Sequence, residues 1–315
     1  MRNVSDLGRT PAPAELAELL GSGRPMTLTG PPGVGKSYLA AQVARTTRLP
    51  VRRADLSVCR DPAQVPRAVA DALRIDTGPG PDPLPGLLRA LAPQRGLLVL
   101  DTCEHVPAGC AELVARLRDA CPGIQLLATS RRPLDTADEL LVGVRPMTPE
   151  RTEELLLEQT AAHGMQLDKP WAHLLARHID GDPLSVVLIA RALRETGPRR
   201  LFGHLTTSGG RFTVLTDGPA EPARHRTLWQ AIEWSHELCG RGERLMWACL
   251  SAFSGSFTRD QVELLFDVHG ELDLLARSSI VLSDATDRFC LPLSHREYGR
   301  QQMRILSGLY DPDGD

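Results

Sequence analysis

Gly30-Pro-Pro-Gly-Val-Gly-Lys36-Ser37 is the stretch that decides the fold. It fits the pattern G-x-x-x-x-G-K-[ST], which a chain of this composition would match by chance about 0.002 times. Glycines in such a loop let successive backbone N–H groups converge on phosphate oxygens, and the helix that follows adds its positive N-terminal end. The lysine of the pattern would neutralise the β- and γ-phosphates of a nucleotide, and the serine hydroxyl would bind Mg²⁺. The sequence therefore predicts a P-loop.

The segments on either side of the P-loop alternate between strands and helices. Met26–Thr29 is a short strand that leads into the loop, and residues 37–48 have a helical period. Gly96–Asp101 and Ile124–Ala128 are apolar on both faces, which is typical of central strands in a parallel sheet. This order predicts an α/β P-loop NTPase domain with a mostly parallel sheet at residues 1–146.

The second half of the chain changes character after Pro146, where helical periodicity dominates. Near its end, Ile280–Leu282 and Arg288–Leu291 flank a polar turn and predict a hairpin. Helices followed by a hairpin indicate a winged helix. The boundaries that we predict are 147–205 for an α-helical domain, 206–225 for a linker rich in Gly, Pro and Thr, 226–305 for a winged-helix-like domain and 306–315 for a disordered tail.

Composition excludes several classes of protein. Hydrophobic residues make up 42% of the chain, which is enough for a packed core, and 36 basic against 39 acidic residues give a net charge of −3. That balance argues against direct nucleic-acid binding by this chain. No apolar run approaches the ~20 residues of a membrane span, and the N-terminus has no secretory signal. We therefore expect a cytoplasmic location and no membrane partner.

Three further side chains are candidates for the chemistry at a bound nucleotide. Asp101 ends an apolar strand, and we predict that it holds Mg²⁺ together with Ser37; the alternative is a turn or cap aspartate. Glu104 is the nearest carboxylate that could orient water, and it could equally be a surface residue. Arg131 follows another strand at the sheet edge where ligands bind. It could sense the γ-phosphate, or it could be a solvated surface arginine.

Several motifs together resemble a known family. Gly30–Ser37, Leu97–His105 and Leu127–Arg131 look like the nucleotide-binding module of STAND regulatory ATPases, in the NB-ARC-like form of large actinobacterial transcription regulators of the LuxR type. His178–Leu184 is similar to the G-x-P motif of that family. The resemblance covers nearly the whole chain, and the order of the motifs carries it more than any single one.

The resemblance implies additional nucleotide contacts. Arg9 would lie near the adenine, and Pro183 would pack on the nucleotide from the helical domain. Arg9 could equally be a loose N-terminal residue, and Pro183 an ordinary first residue of a helix. The full set of nucleotide-binding residues that we predict is Arg9, Gly30, Pro31, Pro32, Gly33, Val34, Gly35, Lys36, Ser37, Tyr38 and Pro183.

Two departures from the family pattern stand out. Members usually carry a Met-His-Asp-like triplet whose histidine contacts the ADP β-phosphate, whereas this chain has Leu291-Pro292-Leu293 at that position. His295 follows closely, and we interpret it as a surface or core histidine. The family's regulators also carry a DNA-binding domain and often helical repeats. The chain is therefore expected to be a bare switch module, a fragment of a larger regulator or one half of a split system.

These observations predict an ATP/ADP-binding molecular switch that uses Mg²⁺ and is a slow ATP hydrolase at most. The resemblance implies a closed resting state with ADP. With ATP, an open state would expose a surface for a homo-oligomer or a protein partner and so regulate transcription. Two alternatives stay open at this point: a scaffold locked on ADP without significant turnover, and a P-loop ATPase with true catalytic turnover.

Overall fold

The structure is a computed structural model that describes residues 10–220, 222–266, 270–284 and 286–308. The chain divides into two compact units. The first contains the chain up to Gly30 and the segment Lys36–Arg145, and the second contains Pro31–Gly35 and the chain from Pro146 onward. The centre of the P-loop is thus grouped by its contacts with the second unit, although its two ends belong to the first.

The first unit is built on a five-stranded sheet. Its strands are β1 (Met26–Thr29), β2 (Val51–Asp55), β3 (Gly96–Asp101), β4 (Ile124–Thr129) and β5 (Leu140–Gly143). They lie in the order β2-β3-β4-β1-β5, and all neighbouring pairs run parallel. Strand β3 is buried along its whole length and β4 along nearly all of it, which explains their apolar sequences. The predicted parallel sheet is confirmed.

Five α-helices complete the described part of the first unit. They are α1 (Pro13–Leu20), α2 (Lys36–Thr46), α3 (Val65–Ala72), α4 (Leu84–Leu91) and α5 (Pro107–Ala120). Helix α5 shows how the sequence sets these elements: a proline at its first turn starts it, and Leu113, Val114 and Leu117 form its buried face. The apolar faces of α3, α4 and α5 join the buried residues of β3 and β4 in one hydrophobic cluster.

The second unit is mainly helical. Its helices are α6 (Pro149–Ala162), α7 (Lys169–Ala176), α8 (Pro183–Ala192), α9 (Pro198–Thr206), α10 (Gly210–Val214), α11 (Leu228–Glu237), α12 (Arg241–Leu250), α13 (Arg259–Leu265), α14 (Glu271–Arg277) and α15 (Leu293–Leu306). One continuous hydrophobic cluster runs through the unit, with Trp247, Phe257 and Tyr298 as its largest fully buried side chains. None of the described helices in either unit is long and apolar enough to cross a membrane.

A small antiparallel sheet precedes α15. It consists of β6 (Phe257–Thr258), β7 (Leu282–Ser283) and β8 (Arg288–Cys290), in the order β6-β8-β7. The hairpin predicted from the two short apolar segments is therefore confirmed, with β7 and β8 as its strands. Phe289 is the buried residue of the two hairpin strands, and its ring stacks on that of Phe257.

The segment 206–225, which we predicted to be a linker, is more structured than its composition indicates. It contains α10 and the fully buried Leu215, and Phe212 packs against the hydrophobic cluster. The Arg211 guanidinium in the same helix forms an ion pair with the Glu297 carboxylate, and both side chains are almost completely buried. Gly, Pro and Thr dominate the composition of this segment and hide the few apolar residues that anchor it. The predicted tail falls largely outside the described residues, since positions 309–315 are not among them.

Candidate nucleotide-binding site

Glycine is required at the centre of the P-loop. Gly33 has a φ of +75°, in the left-handed region that side chains rarely adopt. A Cβ on this residue would lie 2.6 Å from Asp182 Oδ1 and 2.8 Å from Leu184 Cβ. The backbone of Gly33 is also tied to helix α8, because the Leu184 N–H donates to the Gly33 carbonyl at 3.4 Å. The loop is therefore held against the start of α8 by contacts that only glycine allows.

The two side chains that end the motif lie in the first turn of α2. The Lys36 ammonium donates to the Gly30 carbonyl oxygen at 2.7 Å, so this side chain folds back over its own loop. The Ser37 hydroxyl donates to Asp101 Oδ1 at 2.7 Å. Serine at the start of α2 and aspartate at the end of β3 are 64 residues apart in the chain, and the sheet brings them into direct contact.

Asp101 is a buried carboxylate with three partners. Besides Ser37, the Thr129 hydroxyl donates to Oδ1 and the Arg53 guanidinium pairs with Oδ2. Thr129 ends the neighbouring strand β4, and its hydroxyl also accepts the backbone N–H of Thr102 at 3.0 Å. Thr102 has a φ of +66°, so the chain turns sharply directly after the aspartate. The carboxylate is fixed at the carboxyl edge of the sheet, which contradicts the alternative of an ordinary turn aspartate.

The partners of Asp101 keep it ionised. Burial alone would raise the pKa of this carboxyl. The hydroxyls of Thr129 and Ser37 and the guanidinium of Arg53 outweigh burial and hold the pKa of Asp101 below its usual value. A carboxylate that stays charged beside a hydroxyl is the oxygen-donor set that Mg²⁺ prefers in P-loop proteins. The residues present therefore fit a nucleotide with Mg²⁺, which Ser37 and Asp101 would hold.

Glu104 and Arg131 form a buried ion pair in the first unit. The Arg131 Nε lies 3.2 Å from Glu104 Oε1, and the two side chains are only 4% and 5% exposed. The surface alternatives for both residues are therefore wrong. Both follow central strands whose carboxyl ends share one edge of the sheet, which is why residues 27 positions apart meet. Each side chain neutralises the charge of the other. For Arg131 to bind a phosphate, or for Glu104 to accept a proton from water, this ion pair must therefore first be broken or rearranged.

Helix α8 begins directly behind the P-loop glycine. Asp182 is its N-cap and accepts hydrogen bonds from the Ser185 N–H at 2.8 Å and the Ser185 hydroxyl at 2.6 Å. Pro183 is the first residue of the helix, as the alternative reading of this proline predicts. Its Cγ lies 3.7 Å from where a Cβ on Gly35 would be. Burial raises the pKa of the Asp182 carboxyl to about 6, and the nearby charge of Asp180 adds to the effect.

The segment Leu291-Pro292-Leu293, which the sequence analysis compared with the triplet of the resembled family, leads into α15. Asp180 accepts hydrogen bonds from the backbone N–H of Leu293 at 2.5 Å, the N–H of Ser294 at 2.9 Å and the Ser294 hydroxyl. His295 is 3% exposed and stacks on the Trp247 ring with centroids 5.4 Å apart. The interpretation of His295 as a core histidine is confirmed. The start of α15 is thus held by a carboxylate from the loop before α8.

The other predicted residues stay untested, and the structure adds two side chains that the sequence analysis did not single out. Tyr38 is 69% exposed, and Arg9 lies outside the described residues. Sequence reasoning missed Arg53 and Asp182 altogether. A charged residue two positions before the end of an edge strand is a weak signal for Arg53, and the aspartate directly before a helix-starting proline is a clear cap signal for Asp182.

Comparisons with known proteins find similarity in the P-loop region. The family described as "ATPase family associated with various cellular activities (AAA)" matches residues 26–78. Among solved structures, the Walker-type ATPase PABY2304 of Pyrococcus abyssi superposes with a TM-score of 0.60 at 13% identity, over 91% of this chain and 94% of that one. At that identity the likeness shows the fold alone, and it supports the α/β P-loop NTPase fold.

Two curated mycobacterial relatives extend the similarity. "Putative HTH-type transcriptional regulator Rv0890c" of Mycobacterium tuberculosis is 31% identical over 283 residues, which cover 84% of this chain and 32% of that protein. "Uncharacterized protein Rv0894" of the same organism is 30% identical over 268 residues, covering 82% of this chain and 67% of that protein. The chain thus spans about a third of the length of the first relative and about two thirds of the second.

Proposed function

Because this chain belongs to the same protein family as Rv0894 and contains an AAA-type P-loop ATPase module, we propose that it is an ATP/ADP-binding molecular switch of the STAND class. The observation that carries the proposal is the contact of the Ser37 hydroxyl with Asp101 at the end of a P-loop. The NB-ARC-like assignment rests on the order of the sequence motifs. The proposal includes the domain limits 1–146, 147–205 and 226–305, with a winged-helix form for the last.

The nucleotide would be held mainly by the P-loop. Lys36 would neutralise its phosphates, and Ser37 with Asp101 would bind the accompanying Mg²⁺. Arg131 is the proposed γ-phosphate sensor and Glu104 the proposed water-orienting carboxylate. When bound, Mg²⁺-ATP supplies the extra negative charge that distinguishes the ATP state from the ADP state. Arg9 and Pro183 stay proposed contacts on the grounds of the family resemblance, and Tyr38, which directly follows the P-loop, stays a proposed contact as well.

Packing of the P-loop centre supports a switch rather than an isolated binding site. Gly33 is hydrogen-bonded to Leu184 and lies against Asp182, both at the start of a helix in the second unit. A change in the backbone of residues 31–35 would therefore alter the contacts of Gly33 with the first residues of α8. We propose that the chain uses this contact to convert the nucleotide state into a conformational change.

A partner is needed for a complete switch on energetic grounds. Moving a two-state equilibrium from 1:99 to 99:1 requires about 5.5 kcal/mol of differential binding. One charged hydrogen bond to a γ-phosphate contributes about 1.5–3 kcal/mol. Self-association or a protein partner in the ATP state would supply the rest. The name of Rv0890c supports a role in transcription, and because the chain spans only 32% of that protein this role is part of the proposal.

The buried Glu104–Arg131 pair favours slow hydrolysis over rapid turnover. A carboxylate held by a buried arginine must give up that ion pair before it can accept a proton from water. This observation supports a slow hydrolase, and it equally supports the second candidate, a scaffold that stays on ADP. A steady-state rate well above about one turnover per minute would contradict both.

Nucleotide binding by the two lysine variants tests the proposal. As a first test, the wild-type protein is purified and denatured, and the released nucleotide is identified; ADP is the expected result.

In titration calorimetry, Lys36→Ala should weaken ATP and ADP binding at least about 100-fold, since it removes a charged phosphate contact. Lys169→Ala is the matched control, because it removes the other lysine of the chain from the exposed start of α7. Equal affinity in the two variants would reject the P-loop assignment.

A further inference from the structure

Arg53 is an unusual neighbour for the predicted Mg²⁺ ligand. It lies on β2, which forms the edge of the five-stranded sheet, and its side chain is 53% exposed. From there its guanidinium reaches Oδ2 of Asp101, whose side chain is only 4% exposed. A half-exposed cationic side chain thus supplies the counter-charge of a buried, hydrogen-bonded carboxylate.

The two oxygens of Asp101 have different partners. Oδ1 accepts the hydroxyls of Ser37 and Thr129, both of which belong to rigid elements, whereas Oδ2 is paired with Arg53. A divalent cation held at Ser37 needs the negative charge of the same carboxylate. Two cations at one carboxylate repel each other strongly in a partly buried site. Arg53 and Mg²⁺ therefore compete for Asp101.

We propose that Arg53 is a positioning residue that occupies the Asp101 carboxylate as a replaceable cation and exchanges with Mg²⁺ when nucleotide binds. The inference deepens the proposed function and rests on it, since it assigns the regulation of the same metal site. Release of Arg53 requires little rearrangement, because an edge strand leaves its long side chain free to turn toward solvent. An ion pair with one half-exposed partner also contributes less than about tenfold to an affinity.

The consequence is a tunable dependence of nucleotide binding on Mg²⁺. In the wild-type protein part of the binding energy of Mg²⁺ is used to displace Arg53. Removing the guanidinium leaves the full carboxylate charge for the metal. The quantity that reports this competition is the ratio of the ATP dissociation constant in EDTA to that in saturating Mg²⁺, because binding that does not involve the metal cancels in the ratio.

Calorimetry on four proteins tests the exchange. We expect Arg53→Ala to raise the ratio about 3- to 10-fold above wild type. Arg53→Lys keeps a charge but loses the fork of donors, so its ratio should lie between the two. Arg52→Ala is the matched control, since the adjacent side chain of a strand projects to the opposite face, and its ratio should equal that of wild type.

Each outcome decides the question. An unchanged or lower ratio for Arg53→Ala would overturn the inference and would make Arg53 a structural ion-pair partner or a helper of the metal. If Arg53→Ala does not fold, Arg53→Gln gives the same test, because it keeps a donor and removes the charge. If wild-type protein binds neither ATP nor ADP with or without Mg²⁺, the proposed function fails instead. If wild-type protein binds ATP in EDTA and Arg53→Ala does not change the ratio, only the exchange of Arg53 is rejected, and the proposed nucleotide binding stands.

Discussion

Asp101 and Asp182 are both buried aspartates, yet their pKa values move in opposite directions. Burial acts on both carboxyls and would raise both pKa values. Asp101, at the end of β3, has two hydroxyl partners and the Arg53 guanidinium, and its pKa is lowered. At Asp182, before α8, burial and the charge of nearby Asp180 outweigh the hydrogen bonds from Ser185 and from the backbone of Asp182, and the pKa rises to about 6.

The difference teaches what each carboxyl can do. Asp101 stays charged at every physiological pH, which suits a group that binds a metal ion. Asp182 changes its charge close to neutral pH while it touches the P-loop through Gly33. Among the described residues Asp182 pairs with no arginine or lysine, so we interpret it as a support for the backbone of Gly33 rather than as a metal ligand.

The largest expected effect comes from breaking the contact behind the loop. Gly33→Ala should lower the free energy of unfolding by about 2–5 kcal/mol, through a left-handed φ and a Cβ placed 2.6 Å from Asp182 Oδ1. Gly23→Ala is the matched control, because its φ is +74° and nothing lies within 4 Å of its Cβ position. Urea denaturation of both variants measures the difference. Equal losses would mean that the φ strain alone matters and that the contact with Asp182 stabilises nothing.

The second largest effect is expected at Asp182, where a substitution should stabilise the protein rather than destabilise it. Asp182→Asn should raise the free energy of unfolding near pH 8 by about 1–3 kcal/mol, because it removes a buried charge and keeps the cap oxygen. A raised pKa means that the folded state holds the proton to higher pH, so the stability that Asp182 contributes is present below its ordinary value of 3.8 and is lost as pH rises through about 6.

The free energy of unfolding of Asp182→Asn should therefore increase relative to that of wild type as the pH rises from about 5 to about 8. Urea denaturation at several pH values follows this change. A difference between wild type and variant that is constant over that range would contradict the raised pKa of Asp182.

Asp101→Asn should lower the free energy of unfolding, by less than Asp182→Asn raises it, and the pH dependence should be the opposite of that at Asp182. The lowered pKa of Asp101 means that its contribution is present above the ordinary value of 3.8 and is lost as pH falls. The substitution should cost about 1 kcal/mol at neutral pH, since the partner Arg53 is half exposed and returns to water. It should also remove the Mg²⁺-dependent part of ATP affinity and leave binding in EDTA nearly unchanged. Equal losses with and without Mg²⁺ would show that Asp101 acts only on the structure.

The same contrast explains how much could be predicted from the sequence. Lys36, Ser37 and Asp101 could be selected from the sequence because a fixed spacing and an apolar strand mark them locally, and the structure brings Ser37 and Asp101 into contact. The parallel sheet followed from the apolar runs of β3 and β4 for the same reason. Arg53 was missed because its contact with Asp101 spans 48 positions and depends on the strand order of the sheet.

Other features escaped because they depend on tertiary packing. Glu104 and Arg131 could each be buried or exposed by local pattern, and only the fold shows that they pair. The segment 206–225 has the composition of a linker, yet Leu215 anchors it because a core lies next to it. The raised pKa of Asp182 depends on burial and on Asp180, neither of which a local pattern specifies.

The smallest effect concerns Asp180, whose charge helps to raise the pKa of Asp182. The N–H groups of Leu293 and Ser294 donate to different oxygens of Asp180, so Asp180→Asn keeps an acceptor for only one of them and also removes a negative charge from the start of α15. A charge at a helix N-terminus stabilises by about 0.3–1 kcal/mol and a hydrogen bond by a similar amount, so the free energy of unfolding should fall by about 1 kcal/mol near neutral pH. At the same time the pKa of Asp182 should move down, because a like charge has gone.

Carbon-13 NMR titration of the aspartate carboxyls follows the pKa of Asp182 directly, and urea denaturation follows the stability. Asp168→Asn is the matched control: Asp168 precedes α7 as its N-cap but is exposed and makes no side-chain cap hydrogen bond, so the substitution should leave both quantities unchanged. A pKa of Asp182 that stays near 6 in Asp180→Asn would show that burial alone sets it. The contrast with Asp101 would then depend entirely on Arg53 and the two hydroxyls, and not on the second aspartate.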